Sequence, residues 1–243
     1  MDEVHLWQAG LDVAPMELAQ LSAMLTEAEL ERSNAFRFEP DRARFIAARG
    51  LLRAVLGGYL GAVAGEVALG EGPNGKPRLA GATAPLRFNL SHSDDVVVFA
   101  VTWSREVGVD LERIRFDFPV DQVARLYYSP RERADLAGLP VGDRLRAAFE
   151  CWTRKEAYLK AVGMGLTMPL DGFDVTVCPG EPVRLYRHDS RRSAEQGEWS
   201  LHAFDVGPDY AAAVAVEGPC RVPRAARLFR LASIRDHSPV AIS

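Results

Sequence analysis

The chain has 243 residues, with 29 Lys and Arg against 33 Asp and Glu, a formal net charge of −4, 48% hydrophobic and 26% charged residues. That balance supports a sizeable folded core and excludes wholesale disorder, and a net acidic chain lacks the broad basic surface of a general nucleic-acid binder. No run approaches the ~20 consecutive apolar residues of a membrane helix, and the acidic opening lacks a basic start before a greasy core, so a soluble, cytoplasmic protein is expected.

In chain order, a strand-like stretch from Val4 to Leu11 precedes Thr26 and Glu29, whose spacing is that of a capping box opening a helix. A longer helix is expected from about Asp41 to Leu56, stopping at Gly57 and Gly58. A turn cluster from Gly72 to Pro77 leads to a strand at Leu86 to Leu90, and the apolar, β-branched run Val96 to Trp103 reads as a buried strand. Val107 to Glu112 forms another short strand. The order then recurs: Ser129 and Glu132 make a second capping box, and a long helix runs from roughly Asp143 to Val162 and stops at Gly163. Strand-like segments follow at Phe173 to Cys178, Trp199 to Phe204 and Tyr210 to Val216. The Asp41 and Arg42 pair reappears as Asp143 and Arg144, and the run from Arg53 resembles that from Lys160, as if the second helix were a turn longer. The expectation is two similar α+β halves, 1–105 and 106–243, related by a pseudo-twofold axis. A ligand would lie at their seam, and the tail after Glu217 would be peripheral.

Chemistry concentrates at a few positions. Asp110 and Glu112 share one face of their strand, because side chains alternate with a period of two. They suit either a solvated acidic edge or a hard cation such as Mg²⁺. On the long second helix, Leu145, Phe149, Trp152 and Leu159 make an apolar stripe with Glu156 near its middle. A carboxylate there needs a positive partner, and Lys160, one helical turn on, is one candidate. Ser91 and His92 follow a strand with no Gly-x-Ser-x-Gly elbow, so they fit phosphate contacts, or a turn cap and a packed imidazole, better than a hydrolase pair. Arg42, Arg49 and Arg53 fall on one side of the first long helix and Arg44 lies off that line, an arrangement that serves a solvated face or an anion site. Cys151, Cys178 and Cys220 are far apart and form neither a disulfide framework nor a zinc pattern; Cys151 reads as a packing residue. The chain has three lysines among its 29 Lys and Arg, at Lys76, Lys155 and Lys160. Lysine offers a compact point charge where arginine offers a rigid fork, so such positions invite a chemical reason.

Taken together, Gly75 to Pro77, Phe88 to Ser93, Gly108 to Glu112 and Trp152 to Lys160 resemble the 4′-phosphopantetheinyl transferases, and all three lysines lie within these motifs. The similarity is to the large pseudo-dimeric type that activates the surfactin synthetase. The Trp-x-x-Lys-Glu-Ala-x-x-Lys form resembles the subtype associated with polyketide and nonribosomal peptide synthesis. The resemblance implies transfer of phosphopantetheine from coenzyme A to a serine of an apo acyl or peptidyl carrier protein, by a monomer acting without nucleic acid or membrane. It implies Mg²⁺ held by Asp110, Glu112 and Glu156, with Glu156 also the base for the serine. Lys160 would stabilise the departing 3′,5′-ADP, and Arg44, Arg49, Lys76, Ser91, His92 and Lys155 would contact coenzyme A. The carrier would dock beside the second long helix and the Gly163 to Pro169 loop. Where the family carries basic residues around its first capped helix, this chain has Glu29 and Arg32. Another Mg²⁺-dependent phosphotransferase or phosphatase, or a silent coenzyme A- or carrier-binding relative, are the alternatives.

Overall fold

A computed structural model describes residues 3–72, 75–81, 85–163, 168–187 and 198–229. In chain order the elements are β1 (His5–Gly10), α1 (Pro15–Ser22), α2 (Glu27–Asn34), α3 (Glu39–Leu60), β2 (Leu69–Glu71), β3 (Pro77–Leu79), β4 (Leu86–Ser93), β5 (Val96–Trp103) and β6 (Val107–Arg113). They continue with α4 (Val120–Tyr127), α5 (Pro130–Gly138), α6 (Val141–Val162), β7 (Phe173–Val175), β8 (Leu185–Arg187), β9 (Trp199–Ala203), β10 (Tyr210–Glu217) and β11 (Arg227–Leu228). The fold is mixed α+β. One sheet has the order β11-β1-β5-β4 and another β6-β10-β9, with β2-β3 and β7-β8 as separate hairpins.

The period of two sorts each strand between two cores. On β5, Val97, Phe99 and Val101 face α3 residues such as Leu51, Leu52 and Val55, while Val98 and Ala100 face the other way. On β10, Ala213 and Ala215 face Ala157 and Ala161 of α6, while Ala212, Val214 and Val216 face away. The faces turned from the helices meet in a third apolar cluster, where Val4, Leu6, Val98 and Ala100 pack with Val107, Val109, Leu111 and Val214. Each sheet is thus helix-covered on one side and packed in the shared core on the other.

Both expected capping boxes form. The Thr26 hydroxyl accepts from the Glu29 amide, as Ser129 does from Glu132, and each glutamate side chain returns to the cap residue's N–H. Sequence reasoning ended the first long helix too early. Helix α3 runs through Gly57 and Gly58 to Leu60 and stops at Gly61, which has φ +62°. Gly57 serves close approach rather than termination, since a Cβ there would stand 2.8 Å from the Ala62 carbonyl oxygen. Nor is the second helix a turn longer: α3 and α6 have 22 residues each, and Arg53 holds the same helix position as Lys155, not Lys160.

The stretch after Glu217 is not peripheral within its described part. The Val4 amide donates to the Arg221 carbonyl at 3.2 Å, Asp205 N–H to Arg224 at 2.8 Å and Phe229 N–H to Gln8 at 2.7 Å. β11 pairs in parallel with β1, so this segment returns from the second sheet to close the edge of the first. Residues 230–243 lie outside the described residues. Among the described residues, no helix is long and apolar enough to cross a membrane.

Candidate active site

Strands β4 and β6 belong to different sheets yet lie side by side, sewn together by side chains. Asn89, Ser91 and Ser93 alternate on one face of β4. The Val109 amide donates to Asn89 Oδ1 at 2.8 Å and the Arg113 amide to Ser93 Oγ at 3.0 Å. Ser91 Oγ donates to Asp110 Oδ1 and Ser93 Oγ to Glu112 Oε2, each at 3.0 Å. Asn89 and Ser93 were given no site role from sequence, although polar residues at every second position of an apolar strand are the signal that marks them.

Glycine 108 brings this acidic strand against α6. A Cβ at that position would lie 2.2 Å from both the Ala157 carbonyl oxygen and the Ala161 nitrogen, so no other residue permits the approach. Two residues on, Asp110 faces the same helix, and Lys160 Nζ donates to Asp110 Oδ1 at 2.6 Å and to Ser91 Oγ at 3.0 Å. A cavity of roughly 520 Å³ opens there, lined by Ser91, His92, Asp110, Glu112, Glu156 and Lys160, with Tyr127, Trp152 and Leu170 forming apolar wall. The structure therefore brings together the strand carboxylates, the helix carboxylate and Lys160. Glu156 points into the cavity from the stripe between Trp152 and Leu159.

The Asp110 charge acts on both neighbouring acids. Burial and then the neighbouring Asp110 charge push the Glu112 carboxyl above the usual carboxylate range, and the same two causes, in the same order, raise Glu156. Asp110 Oδ2 is buried without a hydrogen-bond partner. An orphaned carboxylate oxygen beside two acids with raised pKa is a donor set that a hard cation satisfies, and it fits Mg²⁺ in chemistry. The acids are not gathered into a cage: among the described residues, no three His, Cys, Asp or Glu side chains stand close enough together to hold a metal ion.

His92 and Leu90 also border a second cavity of roughly 880 Å³ between α2, α3 and the β2-β3 hairpin. Arg32, Arg44, Arg49 and Arg53 line it together with Phe36 and Phe45. Arg44, set apart from the other arginines by helical projection, joins Arg49 and Arg53 in this one cavity. Burial first, then the Lys160 and Arg44 charges, hold the His92 pKa below its ordinary value, which favours the neutral imidazole. Burial works against ionised Glu29, but hydrogen bonds from Arg53, the Thr26 amide and Arg49 outweigh it and lower its pKa.

Two expected coenzyme A ligands lie elsewhere. Lys155 is wholly buried, ion-paired with Glu132 at 2.8 Å and bonded to the Leu170 and Phe173 carbonyls at 2.7 Å each. Its side chain is fully enclosed by α5 and the 170–173 turn and lines neither cavity, so it cannot touch a ligand there. Lys76 Nζ reaches across the seam to Glu106 and to the Val107 and Ala161 carbonyls, at 3.1, 3.1 and 3.3 Å. It lines neither cavity. Cys151 is buried, as expected of a packing residue. Residues 164–167 of the expected carrier-docking loop, and residues 73 and 74 of the turn cluster, lie outside the described residues.

An α+β chain with an acid-and-lysine pocket opening toward an arginine-lined cavity has the features of a transferase acting on a phosphorylated donor. Residues 106–215 match the model of the 4′-phosphopantetheinyl transferase superfamily, and residues 12–104 match that of the 4′-phosphopantetheinyl transferase N-terminal domain. The chain belongs to the 4′-phosphopantetheinyl transferases and is an enzyme of that type. It is 40% identical to the 4′-phosphopantetheinyl transferase HetI of Nostoc over 89% of both chains. It is 31% identical to the phosphopantetheinyl transferase of a Thraustochytrium over 82% of this chain and 72% of the relative. To the transferase Sfp of Bacillus subtilis it is 24% identical over 84% and 87%.

Proposed function

We propose that the protein transfers 4′-phosphopantetheine from coenzyme A to a serine hydroxyl of an apo acyl or peptidyl carrier protein and releases 3′,5′-ADP. The observation that carries this is the convergence of Asp110, Glu112, Glu156 and Lys160 on one cavity that shares His92 with the arginine-lined cavity. The larger cavity takes the nucleotide end of coenzyme A, with Phe36 and Phe45 offering apolar surface, and the diphosphate passes His92 and Ser91 to reach the carboxylate cavity. The pantetheine arm then runs along Tyr127, Trp152 and Leu170.

Phosphoryl-type transfer needs little covalent help from protein; it needs a positioned nucleophile and charges placed on the oxygens. Glu156 accepts the carrier serine proton as the serine oxygen forms its bond to the pantetheine-bearing phosphorus, and the bond from that phosphorus to the leaving nucleotide breaks. Lys160, a mobile point charge, turns from Asp110 toward the leaving phosphate oxygen. Asp110, Glu112 and Glu156 would draw together to hold Mg²⁺, which would neutralise the acids and polarise the diphosphate.

The chain is two α+β halves, 1–105 and 106–243, arranged as an intramolecular pseudo-dimer and acting as a cytoplasmic monomer. Supporting this, a capped helix precedes a 22-residue helix in each half, and the strand orders β1-β5-β4 and β6-β10-β9 correspond. Each capping-box glutamate is also buried against the same position of its long helix, Glu29 with Arg53 and Glu132 with Lys155. Incubation with coenzyme A, Mg²⁺ and an apo carrier tests the function by mass spectrometry. A carrier gaining one phosphopantetheine is expected; free phosphate or an unchanged carrier overturns it.

A further inference from the structure

The larger cavity contains four arginines but no surplus of positive charge. Its lining also carries four carboxylates, Glu29, Asp41, Glu66 and Glu71. Each arginine is already engaged. Arg53, 1% exposed, ion-pairs with Glu29 at 2.9 Å and turns one terminal nitrogen, Nη1, to the Ala64, Gly65 and Val67 carbonyls. Arg49 bonds the other Glu29 oxygen at 2.5 Å. Arg44 pairs with Asp95 at 2.9 Å and Asp41 at 3.3 Å, and Arg32 with Glu71 at 3.4 Å. Lys76, outside the cavity lining, is taken by Glu106 and two carbonyls.

A ribose 3′-phosphate brings a charge approaching −2 at neutral pH, and an arginine fork is its best protein partner. Here such a phosphate meets arginines that each already bind a carboxylate. Binding exchanges one anion for another, and the displaced carboxylate remains nearby as a like charge. Arg53 cannot turn at all. The Arg32–Glu71 pair, with side chains 66% and 65% exposed, is the readiest to exchange, and an exposed pair of this kind contributes little.

We propose that this enzyme recognises its donor largely without the ribose 3′-phosphate, and that Glu29 and Glu71 set this tolerance by occupying the arginines that would otherwise hold it. The inference rests on the assignment of the larger cavity to the nucleotide end of coenzyme A. A donor lacking the 3′-phosphate reacts by the same step: the serine oxygen bonds to the pantetheine-bearing phosphorus, the serine proton passes to Glu156, and 5′-AMP leaves in place of 3′,5′-ADP.

The test compares kcat/KM for coenzyme A and 3′-dephospho-coenzyme A with one apo carrier, and calorimetric binding of 3′,5′-ADP and 5′-AMP. In the unaltered protein both ratios are expected to fall below about tenfold. Glu71→Gln frees Arg32 at an exposed site where folding is not at risk, and should raise the preference for the 3′-phosphorylated ligand up to about fivefold, read in KM and in Kd. Glu29→Gln, which retains an acceptor for the Thr26 cap, should raise it through Arg49. A preference above about a hundredfold in the unaltered protein, or ratios unmoved by both substitutions, overturns the proposal. Failure to transfer from coenzyme A itself would overturn the parent function instead, which keeps the two failures apart.

Discussion

Three acceptors surround the Lys155 ammonium, one carboxylate oxygen of Glu132 and the carbonyls of Leu170 and Phe173, matching its three N–H donors. That count explains a lysine at this position in a chain with three lysines among its 29 Lys and Arg, since a planar fork of five donors would leave buried N–H groups unpaired. Lys155→Met should cost about 3–5 kcal/mol in denaturant unfolding, because Glu132 is left as an uncompensated buried charge. Asp110→Ala and Glu156→Gln act on chemistry instead. Each should lower carrier modification at least about a hundredfold with the melting profile nearly unchanged. Glu29 gives a pH signature. Its folded pKa is depressed, so the stability it confers is present above the ordinary glutamate range and is lost as pH falls through the lowered value. The stability gap between the unaltered protein and Glu29→Gln should therefore narrow on acidification from pH 6 toward pH 3, as followed by urea unfolding. That the three acids share one cavity was legible in the sequence because strand and helix periods place them. The surroundings of Lys155 were not, because its partners are carbonyls brought back by the 170–173 turn, and a backbone acceptor leaves no trace in side-chain patterning.

Among the elements, β6 and α6 depend most on a single atom's absence. Gly108→Ala would place a methyl group 2.2 Å from helix backbone. The strand must then move, at a cost of about 1–3 kcal/mol or more, and Asp110 leaves Lys160. Reduced thermal stability and loss of transfer should appear together, in contrast to Glu156→Gln. The strongest elements could be read from sequence for physical reasons: β5 from its unbroken apolar run, α2 and α5 from their capping boxes. Helices α1 and α4 were missed because each has only 8 residues and no side-chain cap, their N-cap positions being Ala14 and Pro119. The end of α3 was misplaced because a glycine needed for packing looks, in a sequence, like one that ends a helix.

For the molecule as a whole, the segment from Gly218 to Phe229 ties the second sheet back to the first. Its ring contact, Phe229 edge-on to Trp7 at 5.9 Å, adds to the β11–β1 pairing. Truncation after Glu217 should lower the melting temperature by several degrees, about 2–4 °C per kcal/mol for a chain of this size, in scanning calorimetry. An unchanged transition would show that the strap carries no stability. The seam between β4 and β6 has a different consequence. Neighbouring strands in a sheet are held at a fixed spacing by their main-chain ladder. Here three small side chains set the distance between the serine-bearing strand and the acidic one. A point mutation can therefore widen or narrow the groove between them without breaking a ladder bond, which makes the breadth of that groove a trait natural selection can adjust one residue at a time.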